Sequence, residues 1–152
     1  MIFIPKEEYS RIQAVLPILC VDCLIISQQR CLLLRRTNEP AKGQYWFPGG
    51  RVLKGELIKD AATRKAAEEV HLHCQYEKTI SIEETIFARQ DNMLSDIHTV
   101  NICCQLSAHN IDSLIMDASH NDCIWADFEQ AKLLHLHKAV YSPLVKCFEQ
   151  IS

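Results

Sequence analysis

Between Phe47 and Leu72 the chain reads FPGGRVLKGELIKDAATRKAAEEVHL, and its polar residues fall where a metal–phosphate site needs them. Gly49 and Gly50 permit backbone conformations closed to other residues and let a carbonyl approach a ligand. Magnesium takes hard oxygen ligands, which carboxylates and a carbonyl supply. On a helix turning about 100° per residue, Arg64 and Glu68 pair on one face, and Glu69 lies one step round from Glu68. Both acids then flank one rim of a pocket bounded by the glycine loop. Glu56 precedes the helix, where the dipole favours an acid. Glutamates and lysines on a helix most often form a solvated face. Here the fixed spacing changes that: Gly50, five residues, Glu56, seven residues, Arg64, then Glu68 and Glu69.

That spacing resembles the Nudix box, G-x5-E-x7-R-E-U-x-E-E-x-G-U with U aliphatic. The preceding GQYWFPGG resembles the family's lead-in, with Tyr45 where tryptophan is commoner. The resemblance implies an α/β fold, a Nudix α/β/α sandwich with a mixed sheet and a loop–helix–loop catalytic box. It implies hydrolysis of a nucleoside diphosphate linked to another moiety, with Mg2+ as cofactor and Mn2+ as the alternative ion. The matching positions make the Gly49 carbonyl and the carboxylates of Glu68 and Glu69 the candidate metal ligands, with Glu56 and Arg64 bracing the loop or touching phosphate. Two positions depart. Lys65 replaces the first glutamate of R-E-U-x-E-E, and His71 replaces the glycine near the end. A protonated lysine ligates no metal; four residues before Glu69, Lys65 is placed to pair with it or with a phosphate oxygen. These residues favour one metal over the usual cluster.

A wider stretch, LLLRRTNEPAKGQYWFPGGRVLKGE, resembles the GDP-mannose mannosyl hydrolase branch, which also lacks that first glutamate. In PILCVDCLI, Asp22 falls at the branch's sugar-side aspartate, and in SHNDCIW, His120 falls at its catalytic histidine. Most of the family directs water at phosphorus; this branch breaks the sugar C1–O bond and releases GDP and free sugar. The diphosphate is then the leaving group, so catalysis means stabilising its charge. Arg36, Arg51 and Arg64 match the branch's arginines, and His120 is the candidate base, histidine being the side-chain type whose ordinary value lies near neutrality. Asp22 lies in an apolar strand, where an unpaired charge is costly, so a partner or a pocket is expected there. Against the branch, Ser119 stands where it has a glutamine metal ligand, Thr99 where it has a tyrosine, and ARQDNMLSDIHTVN lacks its aromatic-rich loop.

The leading expectation is therefore a divalent-metal-dependent nucleotide-sugar hydrolase, converting GDP-mannose or GDP-glucose to GDP plus free sugar. The second is a pyrophosphohydrolase attacking phosphorus in another nucleoside diphosphate derivative, with Glu68 or a downstream acid as base. The third is a catalytically silent nucleotide-binding module, for which Lys65, His71 and Ser119 speak and the Glu68–Glu69 pair speaks against. The branch resemblance implies a homodimer.

The elements that must hold these residues are legible from pattern. The 152 residues, 48% apolar, suit one domain with a real core. Residues 6–14 read as a short polar helix, Val15 to Ser27 as a strand, and Cys31 to Arg36 as its hairpin partner. Tyr45 to Phe47 forms a short strand stopped by Pro48, and Leu57 to Val70 has helical periodicity. One or two strands are expected over 75–89, another over Thr99 to Leu106, and a short one at CIWADF before a helix at about 128–135. A terminal helix follows, with Pro143 tolerable only near its first turn. A net charge of -3 predicts no broad basic face for nucleic acid. No apolar run reaches the roughly 18 residues of a membrane span, and the charged N-terminus does not resemble a signal peptide. The eight cysteines read as reduced core or half-buried thiols, which fits a cytoplasmic location.

Overall fold

A computed structural model of the chain describes residues 3–90 and 93–151. The elements run α1 (Lys6–Val15), β1 (Ile18–Ser27), β2 (Arg30–Arg36), β3 (Tyr45–Trp46), β4 (Gly49–Arg51), α2 (Ile58–Val70), β5 (Gln75–Phe87), β6 (Ile97–Ser107), β7 (His120–Ala126), α3 (Phe128–Leu133) and α4 (Lys138–Ile151). The seven strands make one sheet with the path β3-β2-β1-β6-β5, to which β4 adds beside β1 and β7 beside β2. β1 and β6 run parallel and the other pairs antiparallel, so the sheet is mixed as the sequence implies.

Period-two alternation along β1 builds the two cores. Val21, Cys23 and Ile25 join Leu32 and Leu34 under α2, whose Ala61, Ala62 and Ala66 let the helix lie close to the sheet. On the other face Leu24 and Leu33 pack beneath Val140, Leu144, Cys147 and Phe148 of α4. The result is the expected α/β/α sandwich. Cys20 and Cys23 point to opposite faces, and adjacent Cys103 and Cys104 divide between the two cores. All eight thiols are free, and burial pushes each above its ordinary value.

β1 also sets up the site by dividing one of its edges. Its C-terminal end pairs with β2 through Ile26↔Cys31 and Ser27↔Arg30, while its N-terminal half pairs with β4 through Cys20↔Arg51, Val21↔Gly50 and Asp22↔Gly49. At the division the Cys23 N–H donates to the Pro48 carbonyl at 2.7 Å. The glycine loop is thereby spliced onto β1 beside Asp22.

Several boundaries differ from the sequence expectation. β1 starts at Ile18 rather than Val15, because Val15 still belongs to α1 and Leu16 is the extended residue before Pro17. Residues 75–87 are one strand, kept continuous by two bulges opposite β6. Pro143 sits beyond the first turn of α4, not within it, and is buried. It removes the bond that the Ala139 carbonyl would have received. The helix start is secured instead by His137, whose carbonyl accepts from Val140 and Tyr141 and whose Nδ1 accepts from Ala139. Among the described residues no helix is long and apolar enough to cross a membrane.

Candidate active site

The box is held by one arginine. Arg64 Nε donates to Glu56 Oε1 at 2.6 Å and its Nη2 to Glu56 Oε2 at 3.0 Å. Nη2 also donates to the Arg51 carbonyl at 2.9 Å, and Nη1 to Glu68 at 3.2 Å. Glu56 accepts in addition from the Leu53 N–H, which closes the loop in place of a side-chain cap on α2. The Arg64 guanidinium, by donating to Glu56, holds that carboxyl below its usual value. Arg64, expected among the catalytic arginines, is committed to bracing the loop and does not line the cleft.

Beside this brace, Glu69 is 8% exposed. One oxygen accepts from the Gly49 N–H at 3.0 Å and the other lies 3.3 Å from Lys65 Nζ. The same ammonium is 3.2 Å from Glu68. Burial raises the Glu69 carboxyl, and the Lys65 charge opposes that rise. Gly49 is a steric necessity, because a Cβ there would run into the Val21 backbone carbonyl; a Cβ at Gly50 would lie 2.7 Å from Lys65 Cε, at the end of a flexible side chain.

A cleft of about 390 Å³ opens over this loop. Asp22, Arg36, Gly49, Gly50, Arg51 and Glu69 all line it. Arg36 Nε is held by the Pro40 carbonyl at 2.7 Å, and the Arg51 guanidinium stacks 4.4 Å above the Tyr9 ring of α1. Trp46 and Phe87 form an aromatic part of the wall, with His137 packed 5.2 Å from Trp46. Asp22 is 4% exposed, and burial pushes its carboxyl up to about 7. Its Oδ2 accepts from Asn101, whose amide oxygen accepts from Thr99, which in turn is hydrogen-bonded to Thr85. With the Thr99 proton given to Asn101, the Thr85 hydroxyl donates to Thr99, so the chain of donors runs one way, toward Asp22.

His120 is placed differently. Its side chain is 3% exposed and off the cleft wall. Nδ1 lies 2.9 Å from Asp117 Oδ1 and 3.1 Å from the Ser119 hydroxyl, which itself donates to Asp117 at 2.6 Å. Burial pushes the Asp117 carboxyl up, but the Ser119 and His120 bonds prevail and leave it below its usual value. This segment is latched to the end of α2. Asp117 N–H donates to the Glu69 carbonyl, Ile115 N–H to the Val70 carbonyl, and His71 Nδ1 meets the Ile115 carbonyl. His71 adopts φ 56°, the left-handed turn that a glycine would take more easily.

The sequence points to Asp22, Arg36, Gly49, Arg51 and Glu69, and the fold brings them together. Glu68, Arg64 and His120 lie just behind them. Missed were Asn101, Thr99 and Thr85 as supports of Asp22, Asp117 as the partner of His120, and Tyr9 on the cleft wall. The polar alternation Thr99, Asn101 along one strand face was the available signal.

The donor set tests the implied metal. Glu68, Glu69 and the Gly49 carbonyl supply hard oxygens of the type magnesium takes. Among the described residues no three His, Cys, Asp or Glu side chains converge as a metal cluster, and the single Lys65 charge lies between the two glutamates. By donor type, the residues fit a divalent ion.

A family model for the NUDIX domain matches residues 17–147, spanning the glycine loop, the braced helix and the cleft apart from its α1 wall. The chain belongs to the NUDIX family. It is thereby a Nudix-type hydrolase of a nucleotide-derived substrate. Among its relatives, the low-salt glycan biosynthesis protein Agl8 of Haloferax volcanii is 32% identical over 119 residues, covering 78% of this chain and 76% of the relative. The ADP-ribose pyrophosphatase of Methanocaldococcus jannaschii is 36% identical over 70 residues, 45% of this chain and 41% of that protein. In structure, the NUDIX domain of Shewanella oneidensis NrtR, solved with ADP ribose, superposes with a TM-score of 0.71, at 20% identity over 98% of this chain and 100% of that one. That likeness establishes the shared Nudix fold.

Proposed function

We propose that this Nudix hydrolase cleaves a nucleoside diphosphate joined to a sugar, by attack of water at phosphorus, with one divalent ion. The observation that carries it is the convergence of Arg36, Arg51 and Glu69 on the Gly49–Gly50 loop, two cations and a buried carboxylate facing one cleft. The pyrophosphatase activity in the name of the Methanocaldococcus relative supports the bond, and the glycan biosynthesis in the name of the Haloferax relative supports the sugar. Arg36 and Arg51 bind the two phosphates and stabilise charge as it develops. Glu69, Glu68 and the Gly49 carbonyl would hold magnesium, which when bound polarises a phosphoryl oxygen. Asp22, with its carboxyl near 7, takes the proton of the attacking water, the task left open by the loss of a glutamate at position 65. Trp46 and Phe87 exclude water from the apolar side of the cleft.

A second reading has its own observation, the His120–Asp117 pair beside Glu69. It is GDP-mannose or GDP-glucose hydrolysis at sugar C1, with His120 as base and, by the branch resemblance, a homodimer as the working form. It requires His120 to reach the cleft, from which it is turned away here. Incubation with GDP-mannose, GDP-glucose and ADP-ribose in oxygen-18 water with magnesium separates the readings. Label in a nucleoside monophosphate or sugar phosphate is the expected result. Label in free sugar beside unlabelled GDP establishes the second reading. Bound but unconverted nucleotide would reduce the protein to a silent binding module.

A further inference from the structure

Lys65 is the residue that neither the family pattern nor the brace explains. It is not a solvated helix lysine. Its side chain is 17% exposed, and its stem runs beneath the loop so closely that a Cβ on Gly50 would stand 2.7 Å from Cε and 3.2 Å from Nζ. The ammonium ends 3.2 Å from Glu68 Oε2 and 3.3 Å from Glu69 Oε1. The two acids named as metal ligands are thus already bridged by a cation that belongs to the chain.

We propose that the Lys65 ammonium is a tethered cation standing in for one divalent ion, so that the site accepts a single metal and a carboxylate at position 65 would open a second metal position. The inference deepens the metal-dependent reading above and rests on it. The charge balance supports it. Glu56, Glu68 and Glu69 carry three negative charges against two positive charges on Arg64 and Lys65, a net of −1 over the paired network. Such a network suits one added divalent ion; a second would concentrate positive charge beside the Lys65 ammonium. Exchange of Lys65 for glutamate changes the network by two charges, to −3, and adds two oxygens at the point where the ammonium now sits. Hard divalent ions respond to both changes. The lysine also keeps the neighbouring carboxylates apart from one another's repulsion before any metal arrives, which preserves Glu69 in its bond to the Gly49 N–H.

The test is metal binding without substrate. Mn2+ alone is titrated into the full chain, with free ion measured by electron paramagnetic resonance and the fold checked by circular dichroism. The native chain is expected to bind one Mn2+ and Lys65→Glu two. Lys65→Met, which removes the charge and supplies no oxygen donor, is expected to keep one site and bind it at least tenfold more tightly. Two ions in the native chain, or equal non-zero stoichiometry in native and Lys65→Glu, would overturn the proposal and leave the metal-dependent reading intact. If Lys65→Glu does not fold, unchanged affinity in Lys65→Met overturns it equally. No Mn2+ bound by any of the three chains would overturn the metal-dependent reading itself, and the proposal with it.

Discussion

Two carboxylates reach the same cleft under opposite regimes. Glu69 comes from the helical flank, where every neighbour that fixes it is charged or a backbone amide: Lys65, the Gly49 N–H and, one residue back, the Glu68–Arg64 pair. Asp22 comes from the sheet, where its hydrogen-bonding supports are neutral, the Asn101 amide, the Trp46 indole and, behind them, two threonine hydroxyls, and the Arg36 charge acts on it only from a distance. Burial acts on both, yet the lysine opposes it directly at Glu69, whereas Asp22 is left near 7. Two carboxyl groups in one cleft thereby stand in different electrostatic surroundings, the arrangement on which the proposed division of tasks between them rests.

The contrast breaks most sharply at Glu69. Glu69→Gln keeps an oxygen for the Gly49 N–H but removes the charge, so turnover should fall by about a thousandfold while the melting temperature moves little. A variant retaining near-native turnover would mean that the helical flank does not carry the metal chemistry.

Asp22 gives the next effect, in stability against pH. The folded chain holds its proton to about 7, while the unfolded chain releases it near the ordinary aspartate value of 3.8. The folded state therefore binds more protons between these values, and the stabilisation is fully present below the lower one and lost as pH rises through the upper. Asp22→Asn removes this dependence. Between pH 5 and pH 8 the native chain should lose about 3 kcal/mol relative to the variant, measured by urea unfolding at each pH. A difference independent of pH would place the Asp22 charge on an equal footing with that of Glu69.

Thr99→Val gives the smallest of the three. It preserves the β6 side-chain shape and breaks the donor chain, leaving the Asn101 oxygen and the Thr85 hydroxyl without this partner. The expected cost is about 2 kcal/mol of unfolding free energy. No measurable cost would show that the threonines do not support Asp22.

The two regimes also differ in how far they can be read from sequence. The helical flank is local. Glu56, Arg64, Lys65, Glu68 and Glu69 lie within one turn-and-helix, so spacing alone predicts the Arg64–Glu68 and Lys65–Glu69 pairs that the fold contains. The sheet flank is assembled from β1, β5 and β6, residues 22, 85, 99 and 101, which meet only through cross-strand register: Asp22 stands opposite Cys103, and Thr85 opposite Thr99. No short window contains that information. Asp22 could be flagged as a charge needing a partner, but the partner's identity depended on a parallel pairing that sequence does not spell out. His120 shows the intermediate case. Its position matched a motif, while its burial against Asp117 followed from the latch between His71, Ile115 and the end of α2. The same latch gives a non-glycine residue at position 71 a hydrogen bond to offset its left-handed backbone.

The eight sulfurs, six buried and two half-buried, have a consequence for reactivity. A cysteine attacks electrophiles as its thiolate, and burial holds every one of these groups above the ordinary value, Cys20 up to about 12 and Cys74, Cys104 and Cys147 up to about 11. A group near 11 is ionised in roughly one molecule in ten thousand at neutral pH. A chain unusually rich in cysteine is therefore poor in nucleophilic sulfur, and Cys20, although it borders the cleft, is chemically quiet toward whatever binds there.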